Sequence, residues 1–72
     1  MSTHQDRIET ALLADDWDRV GYVASEWARA LETAGEKGPR PYFALNVTHL
    51  IRGEFADAWR VYARALQETE DI

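Results

Sequence analysis

The segment Gly53-Glu54-Phe55-Ala56-Asp57-Ala58-Trp59-Arg60-Val61-Tyr62-Ala63-Arg64-Ala65-Leu66-Gln67-Glu68 reads as a turn followed by a helix. Gly53 suits the left-handed backbone position that closes a preceding helix, because without a Cβ it takes a positive φ at no steric cost. Beyond it, Phe55, Ala58, Trp59, Tyr62, Ala65 and Leu66 recur at steps of three and four, the period of one helical face. This predicts a helix ending near Glu68 or Thr69, with the acidic tail to Ile72 frayed.

Upstream of Gly53, a third helix is predicted to run to about Arg52, with Pro39 or Pro41 at its first position, where the missing N–H costs nothing. Its apolar residues do not form one narrow stripe. Tyr42, Leu45, Asn46 and His49 make one face, while Phe43, Val47, Leu50 and Ile51 make another, so this helix is expected to be used on two sides. The run Gly35-Glu36-Lys37-Gly38-Pro39-Arg40-Pro41 cannot continue a helix and is read as a connector, too short to link separate domains. Before it, a helix from about Asp16 to Ala34 carries Trp17, Val20, Gly21, Ala24, Trp27, Ala28 and Leu31 on a stripe, with Asp16 as N-cap and Gly35 as stop. Tyr22 and Val23 lie off that stripe. A short first helix over residues 3–14, capped by Ser2 or Thr3, offers only Ile8, Ala11, Leu12 and Leu13 and needs the neighbouring helix for support.

Setting Trp17 on Phe55 aligns the two long stripes at a constant offset of 38 residues, with Val20 on Ala58, Gly21 on Trp59 and Ala24 on Tyr62. Large side chains in one half face small ones at the matching place in the other, which would let the second and fourth helices interdigitate if they are stacked neighbours. Each half is then a helix, a tight turn and a second helix, the pattern of a helical-hairpin repeat. The fold class expected is all-α: four helices as two antiparallel hairpins, residues 3–34 and 41–69, joined by a connector at 35–40 in one domain spanning residues 1–72.

On Leu45, Gly53, Phe55, Ala58, Tyr62 and Ala65 the second half resembles a tetratricopeptide repeat, in which a Gly turn joins two antiparallel helices and small residues allow close approach. The first half is similar more weakly, with Asp15 at the place of Gly53 and Trp27 where an Ala is expected. Asn46 stands where the family has a small residue, His49 where it has an aromatic, and Glu70 where it has a closing Pro. The resemblance implies a tetratricopeptide-like (TPR-like) protein-binding module in which the first helix of each hairpin lines the recognition surface. Here that points to Arg40, Phe43, Asn46, Val47, Leu50 and Ile51 as partner-binding residues, with Arg7 and Leu12 from the first half. The fourth helix is expected to build the core.

Bulk properties narrow the functions. Thirteen acidic and eight scattered basic residues give a net charge of −5, which disfavours nucleic acid, since neutralising phosphates needs a basic patch. Anionic membrane surfaces are disfavoured for the same reason, and no apolar run of spanning length or signal-peptide pattern occurs. Cysteine is absent, so disulfides and thiolate zinc sites are excluded, and a cytoplasmic protein is the expectation. A chain of 72 residues buries only roughly 60% of its unfolded surface, so a homodimer is expected to cover an open end.

No constellation for catalysis stands out. No hydroxyl sits in a strained nucleophile turn, and Gly35-x-x-Gly38 lacks the Lys and Ser/Thr of a phosphate loop. Asp15, Asp16 and Asp18 lack the remaining ligands of a calcium loop and read as turn and N-cap. His49 has no second His or carboxylate at a helical metal-ligand spacing, and a structural role is expected for it. No catalytic residue, metal or cofactor is assigned. The eight aromatics are more than so small a core can absorb, and exposed apolar surface marks interaction. The expected function is a non-catalytic module that binds a protein or peptide through an apolar helical surface and self-associates; the alternative is a small helical chaperone or adaptor for a secretion or enzyme system. An acidic mimic of nucleic acid would need its carboxylates gathered on one face, whereas Arg is interspersed among them.

Overall fold

The computed structural model describes residues 3–70. Ser2 and the acidic tail at 71–72 lie outside the described residues. The fold is all-α: α1 (His4–Leu13), α2 (Trp17–Ala34), α3 (Arg40–Ile51) and α4 (Phe55–Glu70), with no strand among the described residues.

Local chemistry sets the helix ends. Thr3 caps α1 through a reciprocal pair: its hydroxyl accepts from the Asp6 N–H at 3.0 Å, and the Asp6 carboxylate accepts from the Thr3 N–H at 3.3 Å. Both bonds satisfy donors that the first helical turn would otherwise leave unpaired. Asp16 caps α2 by accepting from the Arg19 N–H at 3.1 Å, and Gly35 ends it at φ 69°. Neither proline takes the expected first helical position. Pro39 is the N-cap of α3 and Arg40 its first residue, so Pro41 falls second, where an N–H still has no intrahelical acceptor.

The 38-residue offset recurs in the backbone. Asp15 has φ 55° and Gly53 φ 75°, so the two hairpin turns use the left-handed conformation at matching positions. The Asp16 N–H donates to the Ala11 carbonyl at 2.9 Å, and the Glu54 N–H donates to that of His49 at 2.8 Å. Thr10 and Thr48, also matched, each return their hydroxyl to the carbonyl four residues earlier. Asp15 tolerates the strained φ because a short polar side chain can bond locally; its carboxylate accepts from the Trp17 indole N–H at 2.9 Å.

Long-range contacts show that consecutive helices run antiparallel. His4 at the start of α1 stacks on Trp27 late in α2, ring centroids 5.9 Å apart, and Arg7 pairs with Glu26 at 3.4 Å. Asn46 in mid-α3 donates to the Ala58 carbonyl at 2.8 Å, while Arg64 lies over the ring of Tyr42 at 5.0 Å. Between α2 and α3, Tyr42 donates to Glu32 at 3.3 Å, and Arg52 pairs with Asp18 at the opposite end. Each helix packs on its neighbours in sequence, in a slab of 34 × 33 × 17 Å.

That order corrects two expectations. Helices α2 and α4 do not interdigitate: α3 stands between them, and it is Thr48 of α3 that comes up to Gly21, where an added Cβ would lie 3.3 Å from the threonine methyl. Trp59 therefore does not fill the space at Gly21. Val23, which falls off the stripe of α2, is fully buried, because α2 is covered by α1 on one side and α3 on the other and its buried arc is wider than one stripe.

The core is built mainly from small and β-branched side chains. Ile8, Ala11, Val20, Val23 and Ala24 form one cluster, with Trp17, Trp27 and Leu45 against it. Ala28, Tyr42 and Ala65 form the second, with Leu45 and Val61. Over the second cluster lies a polar lid. Arg64 donates to Glu68 and to Glu32, both at 3.2 Å. The bond to Glu68 is the chief cause that pushes the Arg64 guanidinium above its ordinary value, and burial raises the Tyr42 phenol. Both groups therefore keep their protons throughout the neutral range.

Candidate functional site

With the interior filled mainly by small residues, many of the large apolar side chains face outward. They gather along α3 and α4 because α3 carries two apolar faces. Tyr42 and Thr48 are buried and Leu45 and Asn46 half-buried, whereas Phe43, Val47, Leu50 and Ile51 are all exposed. Of the two faces read from the spacing of α3, the one with Tyr42 and Leu45 is thus turned inward and the one with Phe43, Val47, Leu50 and Ile51 is exposed.

Two grooves flank α3. On the side of α1, Phe43 and Val47 join Ile8, Leu12, Trp17 and Val20 around a shallow hollow of about 220 Å³. On the side of α4, Asn46 and Leu50 join Phe55, Ala58, Trp59 and Tyr62 around one of about 310 Å³. The expected partner-binding residues are thus split. Phe43 and Val47 line the first groove and Asn46 and Leu50 the second, while Arg40 and Ile51 are exposed at the two ends of α3. The Asn46 amide already donates to α4. Leu12 lies in the first groove, and Arg7 is held by Glu26.

The assignment of α4 to core-building needs correcting. Its inward face is Ala58, Val61, Ala65 and Glu68, about a quarter turn away from Phe55, Trp59, Tyr62 and Leu66. Those four are exposed by 62%, 72%, 38% and 43% respectively. Trp59 and Tyr62 meet edge to face at 6.1 Å on this outer surface. One broad apolar arc in the sequence is in fact two faces, a small-residue face that packs on α3 and a large-residue face that does not. The signal that separates them is side-chain size, because only the Ala positions allow close approach between helices.

The turn between α3 and α4 gathers a set of polar groups that helical spacing alone misses. His49, Glu54 and Asp57 bring one potential ligand atom each to within 4.8 Å of one another. His49 Nδ1 lies 2.9 Å from a Glu54 oxygen, and Asp57 pairs with Arg60 at 3.4 Å. A closed structural metal site needs a fourth ligand and carboxylates not already held by a guanidinium. The His49–Glu54 contact is accounted for as a link across the left-handed turn at Gly53, placing the imidazole at the negative end of α3 and the carboxylate at the positive end of α4.

No described helix is long and apolar enough to cross a membrane. No protein-family model, curated protein or solved structure matches the chain, so its own residues and geometry carry the functional reading.

Proposed function

We propose that this protein is a non-catalytic, tetratricopeptide-like interaction module that binds an amphipathic helix or peptide of a protein partner along α3. One observation carries the reading: the side chains that would normally fill a core lie outside it. Val20, Val23, Ala24 and Ala65 are sealed within, whereas Phe43, Val47, Leu50, Phe55 and Trp59 face solvent. Apolar surface gathered in a contiguous patch is characteristic of a binding face, unlike single scattered residues. The groove between α1 and α3 suits a segment that presents apolar side chains at helical spacing, with Leu12 on one wall and Phe43 and Val47 on the other. Self-association belongs to the same reading, since a second copy can cover surface that a chain this small leaves open.

Selection of displayed amphipathic helical peptides on the immobilised protein tests the groove. Binders are expected that lose at least tenfold in affinity against Phe43→Ser/Val47→Ser while that variant keeps its helical circular dichroism. Failure to enrich any peptide, or binders indifferent to both substitutions, would contradict the proposal.

A further inference from the structure

We infer that Phe55, Trp59, Tyr62 and Leu66 form the interface of a two-fold homodimer in which α4 of two copies pairs antiparallel. The repeat itself identifies this stripe. Thirty-eight residues earlier stand Trp17, Gly21, Ala24 and Ala28, the face of α2 that receives α3, with Ala24 and Ala28 buried and Gly21 under Thr48. The same face of α4 is open, so by the internal logic of the fold its occupant is a helix. A helix face left to water is ordinarily polar; this one carries Phe55, Trp59 and Tyr62.

The stripe is self-complementary. Its residues are spaced four, three and four apart, so the pattern reads the same in either direction. An antiparallel copy centred between Trp59 and Tyr62 sets Phe55 beside the second copy's Leu66 and Trp59 beside its Tyr62. No charge interrupts the seam, and the outer flank carries Ala56 and Ala63, both exposed and small enough to let helices close. With Leu50, these side chains expose on the order of 500 Å² per chain, taking roughly 200 Å² for each when fully exposed. Two copies together reach about the 1,000 Å² that separates specific interfaces from incidental ones. The groove of about 310 Å³ at Asn46, Leu50 and Ala58 leaves room for a large side chain from the second copy.

Sedimentation and thermal melting of the full chain across a wide concentration range test the pairing. Wild type is expected to sediment as a dimer with a Tm that rises with concentration, and Trp59→Glu and Tyr62→Glu are each expected to weaken dimerisation at least a hundredfold. A monomer with concentration-independent Tm, or a dimer untouched by both substitutions, overturns the inference. Because the chain has no cysteine, spin labels at Arg60→Cys and Gln67→Cys report direction. Both positions point to the same side of α4, so antiparallel pairing adds an axial offset at 67 that is nearly absent at 60, and the separation at 67 is longer by roughly 10 Å once the lateral spacing of the helices is included; equal separations, as in a parallel pair, overturn it. The pairing deepens the self-association in the proposed function, but its seam does not include Phe43 or Val47, so peptide binding at the α1–α3 groove remains measurable in the Trp59→Glu monomer, and failure of the dimer is told apart from failure of peptide binding.

Discussion

Ala65→Leu is expected to lower the Tm by on the order of 10 °C or to unfold the chain outright, because overpacking costs about 1–3 kcal/mol and a domain of this size shifts by about 4–8 °C per kcal/mol. Ala65 is 0% exposed and lies in the cluster of Ala28 and Tyr42, with Leu45 and Val61 against it. It is one of the inward alanines that let α4 come down on α3, so added carbons have to push the helix away. The α3–α4 groove offers no relief, since its lining includes Ala58 but not Ala65. Ala30→Leu, on an exposed part of α2, is expected to leave the Tm within a few degrees and serves as the control in the same melting experiment.

Arg64→Ala is expected to destabilise the fold by about 1–2 kcal/mol, the usual cost of leaving a nearly buried polar group without its partner when that group retains some access to water. Arg64 holds Glu68 and Glu32 and covers the ring of Tyr42, so a single truncation removes three contacts. Glu68 is the vulnerable member, at 7% exposure, because little solvent reaches its carboxylate to replace the guanidinium. Removing both groups is therefore less harmful than the two single losses added together. Urea denaturation of Arg64→Ala, Glu68→Ala and the double variant should give a coupling of at least about 0.5 kcal/mol, in the range found for residues in direct contact. Strict additivity would show that the lid contributes nothing as a unit.

Helix ends were largely legible because they are decided locally. Asp16, Gly35 and Gly53 stand at the predicted boundaries, and Thr3 fulfils one of the two N-caps foreseen, since each needs only its own turn of backbone to act. The outward set Phe43, Val47, Leu50 and Ile51 could also be separated from Tyr42 and Leu45, because α3 carries apolar residues on more faces than one neighbour can cover. Periodicity does not reveal which neighbour covers a given face. Trp17, Gly21, Ala24 and Ala28 occupy the same stripe as Phe55, Trp59, Tyr62 and Leu66, yet the first receives α3 and the second receives none of the other described helices. That difference arises from the order of helices along the chain.

Other departures share this origin. Val23 is buried because α2 has a neighbour on both sides, and Thr48 enters the core because its hydroxyl is satisfied by the Ala44 carbonyl at 2.8 Å while its methyl meets Gly21. His49, Glu54 and Asp57 converge across a turn, where spacing counted along one helix has no bearing. Side-chain size, read alongside periodicity, recovers part of what was missed: in α4 the Ala positions mark the packed face and the aromatic positions the free one.

The protein keeps mainly small residues inside and leaves many of its large ones at the surface, where we propose that other chains cover them. Solvent paramagnetic relaxation, measured with a soluble gadolinium chelate on the Trp59→Glu monomer, tests it residue by residue. The rings of Phe43 and Phe55 and the methyls of Val47 and Leu50 are expected to relax strongly, while the methyls of Val20, Val23, Ala24 and Ala65 remain protected. Phenylalanine rings as protected as Val23 would contradict the account.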